Sequence, residues 1–238
     1  MSTQHTMSAY DRELTRLEDL VLGMGLYGIS QLERAMKALQ GRDSALAASV
    51  IAGDIREDTL EVEVDKLVVQ LIALRQPAGS DLRHVTCAFK AAVHFERIGD
   101  YAVNVAKRSL VMPIDFPAAD LLSIPRMSEL TLKMLGDTVR AYREKDLDLA
   151  VQTWRSDEKL DALTTVLLRE IVSSMKGDPK TIDVGTHLMF IAKNLERVGD
   201  HATNICELIY YRISGERLPG MRPKSDSLLQ PPSTGEAG

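Results

Sequence analysis

Glu96 and Asp100, followed one helical turn later by Asn104, reappear one hundred residues further on as Glu196, Asp200 and Asn204. The residues between the acids repeat too: Glu-Arg-Ile-Gly-Asp at 96–100 becomes Glu-Arg-Val-Gly-Asp at 196–200. Two more acidic pairs, Asp54 with Asp58 and Asp157 with Asp161, have the same spacing of four. Residues four apart on a helix lie about one turn apart on nearly the same face, so each set becomes a column of oxygen donors. Like charges at that spacing weaken a helix, so helix stability does not account for four such pairs. Crowded carboxylate and amide oxygens are what a hard cation requires, and they suit Mg, Mn, Ca or ferric iron better than a soft metal. A single acidic pair is more often a solvated helix face. Recurrence of all four pairs, with their asparagines, favours a ligand set, although duplication copies inert residues as well.

Other chemistries find little support. The Glu-x-x-His pairs of di-iron bundles are absent, and so are a nucleophile with its base, a Gly-rich phosphate loop and a Cys cluster at metal spacing. His94 and His201 adjoin the motifs, but their counterparts are Asn194 and Tyr101, so neither recurs as a ligand should. Gly99 and Gly199 sit inside predicted helices, where Gly costs roughly 1 kcal/mol relative to Ala, and the expected return is close approach of a neighbouring helix. Arg97 and Arg197 point away from the preceding Glu and are expected to pair with acids of an adjacent helix.

Apolar residues recur every three or four positions through most of the chain. They predict helices over about 10–40, 43–75 and 80–108, then 120–143, 146–175 and 179–214. Gly41 marks a stop and Asp43 a cap for the second helix; Gln76-Pro77-Ala78-Gly79 ends it, and Ser80 is placed to cap the third. Asp178-Pro179 is a helix start of the same kind. Pro113 and Pro117 lie in the connector between halves, and the second half begins near Asp120. Asp54 and Asp58 match Asp157 and Asp161 at an offset of 103, whereas the Glu-Asp-Asn columns match at 100. The second half has therefore lost three residues in the turn before its last helix. The fold class expected is all-α: two tandem three-helix bundles, at 10–110 and 119–215, with a disordered Pro-, Ser- and Gly-rich tail at 216–238. Antiparallel neighbours within each bundle would set the Asp pair of the second helix against the Glu-Asp-Asn column of the third.

The 238 residues carry a formal charge of −5, which argues against nucleic acid as a partner. No apolar run reaches the roughly 18 residues of a membrane span, and the first ten residues lack the apolar core of a secretion signal. Cys87 and Cys206 do not match between halves and read as small core residues in a reducing, cytoplasmic setting. Trp154 is expected to be a core or interface anchor.

The two Glu-Arg-x-Gly-Asp blocks with their Asn, the Asp-x-x-x-Asp pairs, and the turn Gln76-Pro77-Ala78-Gly79-Ser80-Asp81-Leu82-Arg83 together resemble the PhoU family. The resemblance runs from about Leu14 to Leu218. It implies paired three-helix bundles whose acidic motifs bind iron, manganese, magnesium or zinc at their surface. Asp54, Asp58, Glu96, Asp100, Asp157, Asp161, Glu196 and Asp200 carry those motifs, with Asn104 and Asn204 added from the columns. It further implies a cytoplasmic, homodimeric negative regulator that links a phosphate transporter ATPase component to a sensor histidine kinase. Two hard metals close together could also activate water or oxygen, so the alternative is a carboxylate-bridged metalloenzyme, an oxidase or a phosphohydrolase.

Overall fold

A computed structural model describes residues 2–113 and 123–220. The expected connector around Pro117, the helix start at Asp120 and the tail beyond 220 lie outside the described residues. Among those residues the secondary structure is helical, with no strand. The helices are α1 (Ser2–Gly41), α2 (Ser44–Ala52), α3 (Asp54–Arg75), α4 (Ser80–Val111), α5 (Ile124–Glu144), α6 (Leu147–Arg155), α7 (Asp157–Gly177) and α8 (Ile182–Ser214). A single 3-10 turn, Pro179–Thr181, leads into α8. Each half thus contributes three rods, as the apolar periodicity predicts, but the middle rod of each is broken.

The breaks correct the expectation of continuous helices over 43–75 and 146–175. At Gly53 and at Ser156 the backbone N–H turns back onto three carbonyls of the helix just ended, and the next residue starts a new helix. The Gly53 carbonyl accepts a hydrogen bond from the Tyr27 hydroxyl at 2.8 Å. A side chain at Gly53 would run into Tyr27 and Gln31, so α1 holds this break in place. The consequence is functional: Asp54 and Asp157 become first-turn residues of α3 and α7, where the helix dipole favours a carboxylate.

Caps follow the sequence in part. Asp43 and Asp146 each accept from the backbone N–H three residues on, Leu46 and Leu149, at 2.9 Å. Asp178 accepts from the Lys180 N–H, two residues on, at 3.0 Å. Ser80 does not cap; it is the first residue of α4, and the preceding Gly79, at φ 58°, takes the cap position without a side-chain bond. Gly41 does not make the left-handed exit from α1 either; Arg42 does, at φ 53°. α1 also extends back past Tyr10, since nothing from Ser2 to Ala9 is Gly or Pro.

α4 and α8 run antiparallel at the centre, since His94 lies by His201 and Arg108 by Phe190. α1 packs on α4 and crosses to α5, while α2 and α3 flank α4, and α6 and α7 flank α8. The buried apolar side chains of both halves form one continuous core, from Leu17 and Phe95 through Leu135 to Ile205. Gly25 of α1 makes that crossing possible, because a methyl group there would lie 2.8 Å from Val139 and 2.9 Å from Phe95. Glu18 and Arg212 add a cross-half ion pair at 2.7 Å. No helix among the described residues is long and apolar enough to cross a membrane.

Candidate functional site

The motif glycines set the distance between the helices that carry the acids. Gly99 of α4 is covered by the side chain of Glu57 from α3, whose Cγ would lie 3.2 Å from an added Cβ. Gly199 of α8 is covered in the same way by Leu160 of α7, with Asp157 alongside. The expected role of these glycines as points of close approach is what the structure shows. They bring Asp54 and Asp58 beside Glu96 and Asp100 in the first half, and Asp157 beside the Gly199 turn in the second.

In the first patch the acids lie close enough to act on one another's charge. Burial, then the charges of Asp58 and Asp100, push the Asp54 carboxyl above its usual value. Glu96 is pushed up to about 7, by burial first and then by Asp100. Glu61, one turn beyond Asp58 on the same column, is raised by burial and by Asp65 and Asp58. Asp58 is exposed, whereas Asp54, Glu96 and Asp100 are half-buried. Arg97 does not reach to an adjacent helix, as expected from sequence; it pairs on its own helix, with Asp100 at 3.0 Å and Glu96 at 3.5 Å.

The second patch is built on the same backbone with different neighbours. Asp157 is buried, and Asp161, Glu196 and Asp200 are half-buried. Lys193, one turn before Glu196, pairs with it; the matching position in the first half is Val93. Arg197 leaves the patch and lies over the Tyr101 ring, 5.8 Å from its centroid.

Asn104 and Asn204 fall along the α4–α8 seam, each lining a groove. One groove combines Asn104 with Lys107, Arg108, Val111, Phe190 and Asn194. Its counterpart combines Asn204 with Glu207, Leu208, Tyr211, Lys90 and His94. The histidines that fall out of register in sequence meet at this seam, His94 Nδ1 lying 2.9 Å from His201 Nδ1. Trp154 is buried, as expected of an anchor, and its indole N–H donates to Glu207 at 2.9 Å. Both cysteines are buried and free, and burial pushes the Cys206 thiol up to about 12, so neither is a reactive thiolate.

Sequence reasoning missed Glu57. This carboxylate is 2% exposed, and neither oxygen has a hydrogen-bond partner among the described residues. Burial, then the charge of Glu96, raises it to about 8. The available signal was its partner in the repeat, Leu160, which marks the position as inward-facing. In kind, the donors fit a hard cation: carboxylate oxygens from two helices and a buried carboxyl group whose oxygens lack a hydrogen-bond partner among the described residues. As they stand, no three His, Cys, Asp or Glu side chains among the described residues are disposed to hold an ion.

The PhoU domain family matches this chain twice, at residues 21–109 and 124–209. The chain belongs to the PhoU family. A phosphate-specific transport system accessory protein PhoU homolog of Caulobacter vibrioides is 44% identical over 96% of the chain and its own full length. One from Xylella fastidiosa is 37% identical over 94% of each chain. Among solved structures, PhoU from Pseudomonas aeruginosa superposes with a TM-score of 0.82 at 32% identity, covering 87% of this chain and all of that one. The phosphate transport system regulatory protein PhoU from Streptococcus pneumoniae gives 0.77 at 29% identity, with 88% and 99% covered. The twofold PhoU match separates the halves where the sequence repeat does, and each matched segment carries one Glu-Arg-x-Gly-Asp motif with its Asp pair.

Proposed function

We propose that this chain is an accessory protein of a phosphate-specific transport system and a negative regulator of phosphate uptake and phosphate-starvation signalling. It acts in the cytoplasm as a homodimeric adaptor between the transporter ATPase component and a sensor histidine kinase, without catalysis of its own. The observation that carries this reading is the PhoU match across both halves, together with relatives named as accessory proteins that align over nearly the whole chain. Deleting the gene should derepress phosphate-starvation genes in high phosphate. Unchanged expression and unchanged uptake would sink the proposal.

The adaptor binds metal at its two carboxylate patches. Asp54, Asp58, Glu96 and Asp100 hold a hard cation in the first half, and Asp157, Asp161, Glu196 and Asp200 do so in the second. The cation supplies the positive charge that lets these acids stay close together on neighbouring helices. Elevated pKa values in the first patch, and a buried carboxylate without a partner, support this reading. Element-resolved metal content of wild type, beside a variant lacking Glu96, Asp100, Glu196 and Asp200, tests it; equal metal in both would refute it.

A further inference from the structure

The second half is open where the first is clasped. Between α5 and α7 runs a groove of about 670 Å³, over a floor of Leu130, Ala162, Leu163 and Val166. The offset of 103 that aligns Asp43 with Asp146 sets Leu130 against Tyr27, Ser156 against Gly53 and Lys159 against Arg56. In the first half the Tyr27 hydroxyl donates to the Gly53 carbonyl at 2.8 Å, and the Arg56 guanidinium covers the Tyr27 ring, 4.8 Å from its centroid. Leucine supplies neither the hydroxyl nor the ring, so α5 does not close onto α7 in that way. The two helices are antiparallel, Ser123 bonding Glu170 and Thr164 bonding Met127, so Arg126 and Lys159 stand towards opposite ends of the groove. Neither makes an ion pair among the described residues. Lys133 also lines the rim, paired with Asp137, and Glu129 is the acid there.

α3 carries the complementary pattern on its outer face. Val64, Leu67 and Leu71 are buried, yet Ile55, Val62 and Val69 are 75%, 47% and 67% exposed. Spaced by seven, these three form a stripe along the helix on the side away from the core. Asp58 and Asp65, also seven apart, flank the stripe on one side, and Lys66 lies on the other. The packing of the fold does not require the stripe, since the matching positions of α7 are Glu158, Thr165 and Val172. An exposed apolar run rimmed by charge marks a surface that meets a partner.

We infer that α3 of one copy of this chain docks in the α5–α7 groove of a second copy, its stripe on the leucine floor, its acidic flank towards Lys159 and Lys66 towards Glu129. The two surfaces match in form and in sign. An apolar helix edge flanked by acids meets an apolar groove with a mostly basic rim, which is the helix-in-groove mode of recognition. Two α3 helices laid against each other would instead bring two acidic flanks together. Each copy offers one surface and receives with another, so the contact is heterologous and runs head to tail. A single helix in a groove falls short of the roughly 1,200–2,000 Å² of a standard stable interface, so the contact forms as the chain becomes concentrated. The inference goes beyond the adaptor reading and depends on no metal.

Two double variants at exposed positions test it: Val62→Glu/Val69→Glu removes the stripe, and Lys159→Glu/Ala162→Glu removes the groove. Full-length chain carrying a fluorescent label is titrated with unlabelled chain and followed by anisotropy. Wild type should bind itself, and less tightly as salt is raised. Each variant should bind itself roughly tenfold or more weakly than wild type does, because like charges then face each other across the contact. The stripe variant mixed with the groove variant should recover the wild-type affinity, since the first keeps a working groove and the second a working stripe. Recovery also shows that both variants fold. A mixture that binds no better than either variant alone would overturn the inference, as would a variant that still binds itself like wild type. A wild type that does not bind itself would overturn it too. If the groove variant then loses repression of phosphate-starvation genes in cells, the groove serves another protein and the adaptor reading stands.

Discussion

Arg212→Met is the substitution that asks most directly whether the two halves form one cooperative unit. Arg212 lies in the last turn of α8, 6% exposed, and donates to Glu18 of α1 at 2.7 Å. Its guanidinium also covers the Tyr142 ring of α5, 5.0 Å from the centroid. Burial by itself would raise the Glu18 carboxyl, but the hydrogen bond and charge of Arg212 overcome that, and Glu18 ends below its usual range. Removing one partner of a buried ion pair costs about 3–5 kcal/mol, because the other charge is left unpaired. Glu18 is 21% exposed at its side chain and water can reach it, so the loss here should be near 2–3 kcal/mol. For a chain of this size that corresponds to a fall in Tm of roughly 4–12 °C. Urea unfolding followed by circular dichroism gives the free energy, and a calorimetric scan gives the number of transitions. With one continuous core, the single transition should move as a whole. The partner change Glu18→Leu added to Arg212→Met should recover much of the loss, since a pair replaced by apolar residues of similar size is close to neutral. A loss below about 0.5 kcal/mol, a double variant no better than the single, or a scan in which only part of the unfolding shifts would refute the reasoning.

Gly199→Ala should destabilise by about 1–3 kcal/mol, the range for overpacking, because the added methyl overlaps Leu160; Gly99→Ala should cost less, since the nearest atom there, the Cγ of Glu57, is 3.2 Å away. Urea midpoints of the two variants give the comparison, and equal losses would count against it. Asp43→Ala and Asp146→Ala each remove a cap bonded at 2.9 Å and should each cost about 1 kcal/mol, measured the same way, with the losses additive because the caps lie in different halves. His84 predicts a pH dependence: burial and then the charge of Arg212 lower it from 6.5 to about 4. The unfolded chain therefore takes up this proton first, so the contribution of neutral His84 is complete above pH 6.5 and is lost as pH falls towards 4. The loss should total roughly 2–3 kcal/mol after allowance for partial exposure, and His84→Gln should flatten the stability profile across that window.

Local chemistry was legible in the sequence wherever it depended on residues a turn or two apart. The Asp43 and Asp146 caps, the close approach at Gly99 and Gly199 and the acidic columns all rest on such spacings. The breaks at Gly53 and Ser156 were present as Gly-Asp and Ser-Asp junctions, but apolar periodicity runs through both, and the decisive contact at Gly53 is a hydroxyl from Tyr27 on another helix. Contacts between halves were illegible for the same reason. Periodicity marks a face as apolar without naming what covers it, so the crossing of α1 onto α5 and the His94–His201 contact emerge only from the fold. Arg42 and Lys145 take left-handed exits usually given to Gly, a conformation that depends on the cap bonds after it and leaves no mark in residue type. Glu57 was passed over because an acid on an amphipathic helix is taken to face water; its repeat partner Leu160 was the evidence that it does not.

Duplication constrains the backbone more than it constrains the surface. The grooves beside the α4–α8 seam are related position by position, Asn104 to Asn204, Lys107 to Glu207, Arg108 to Leu208 and Val111 to Tyr211. At 107 and 108 one groove is basic where the other is acidic and apolar, while the second carries Lys90 and Arg217 elsewhere, just as one carboxylate patch has Glu57 where the other has Leu160. The side chains that stayed the same include the motif glycines, which set helix separation, the capping aspartates and the Glu-Arg-x-Gly-Asp motif with its Asn. A single type of partner recognising both halves by symmetry would have held the groove residues alike. Their divergence leaves the two grooves chemically unequal, so exchanging Lys107 and Arg108 for Glu and Leu should reverse the charge of one groove without touching the other.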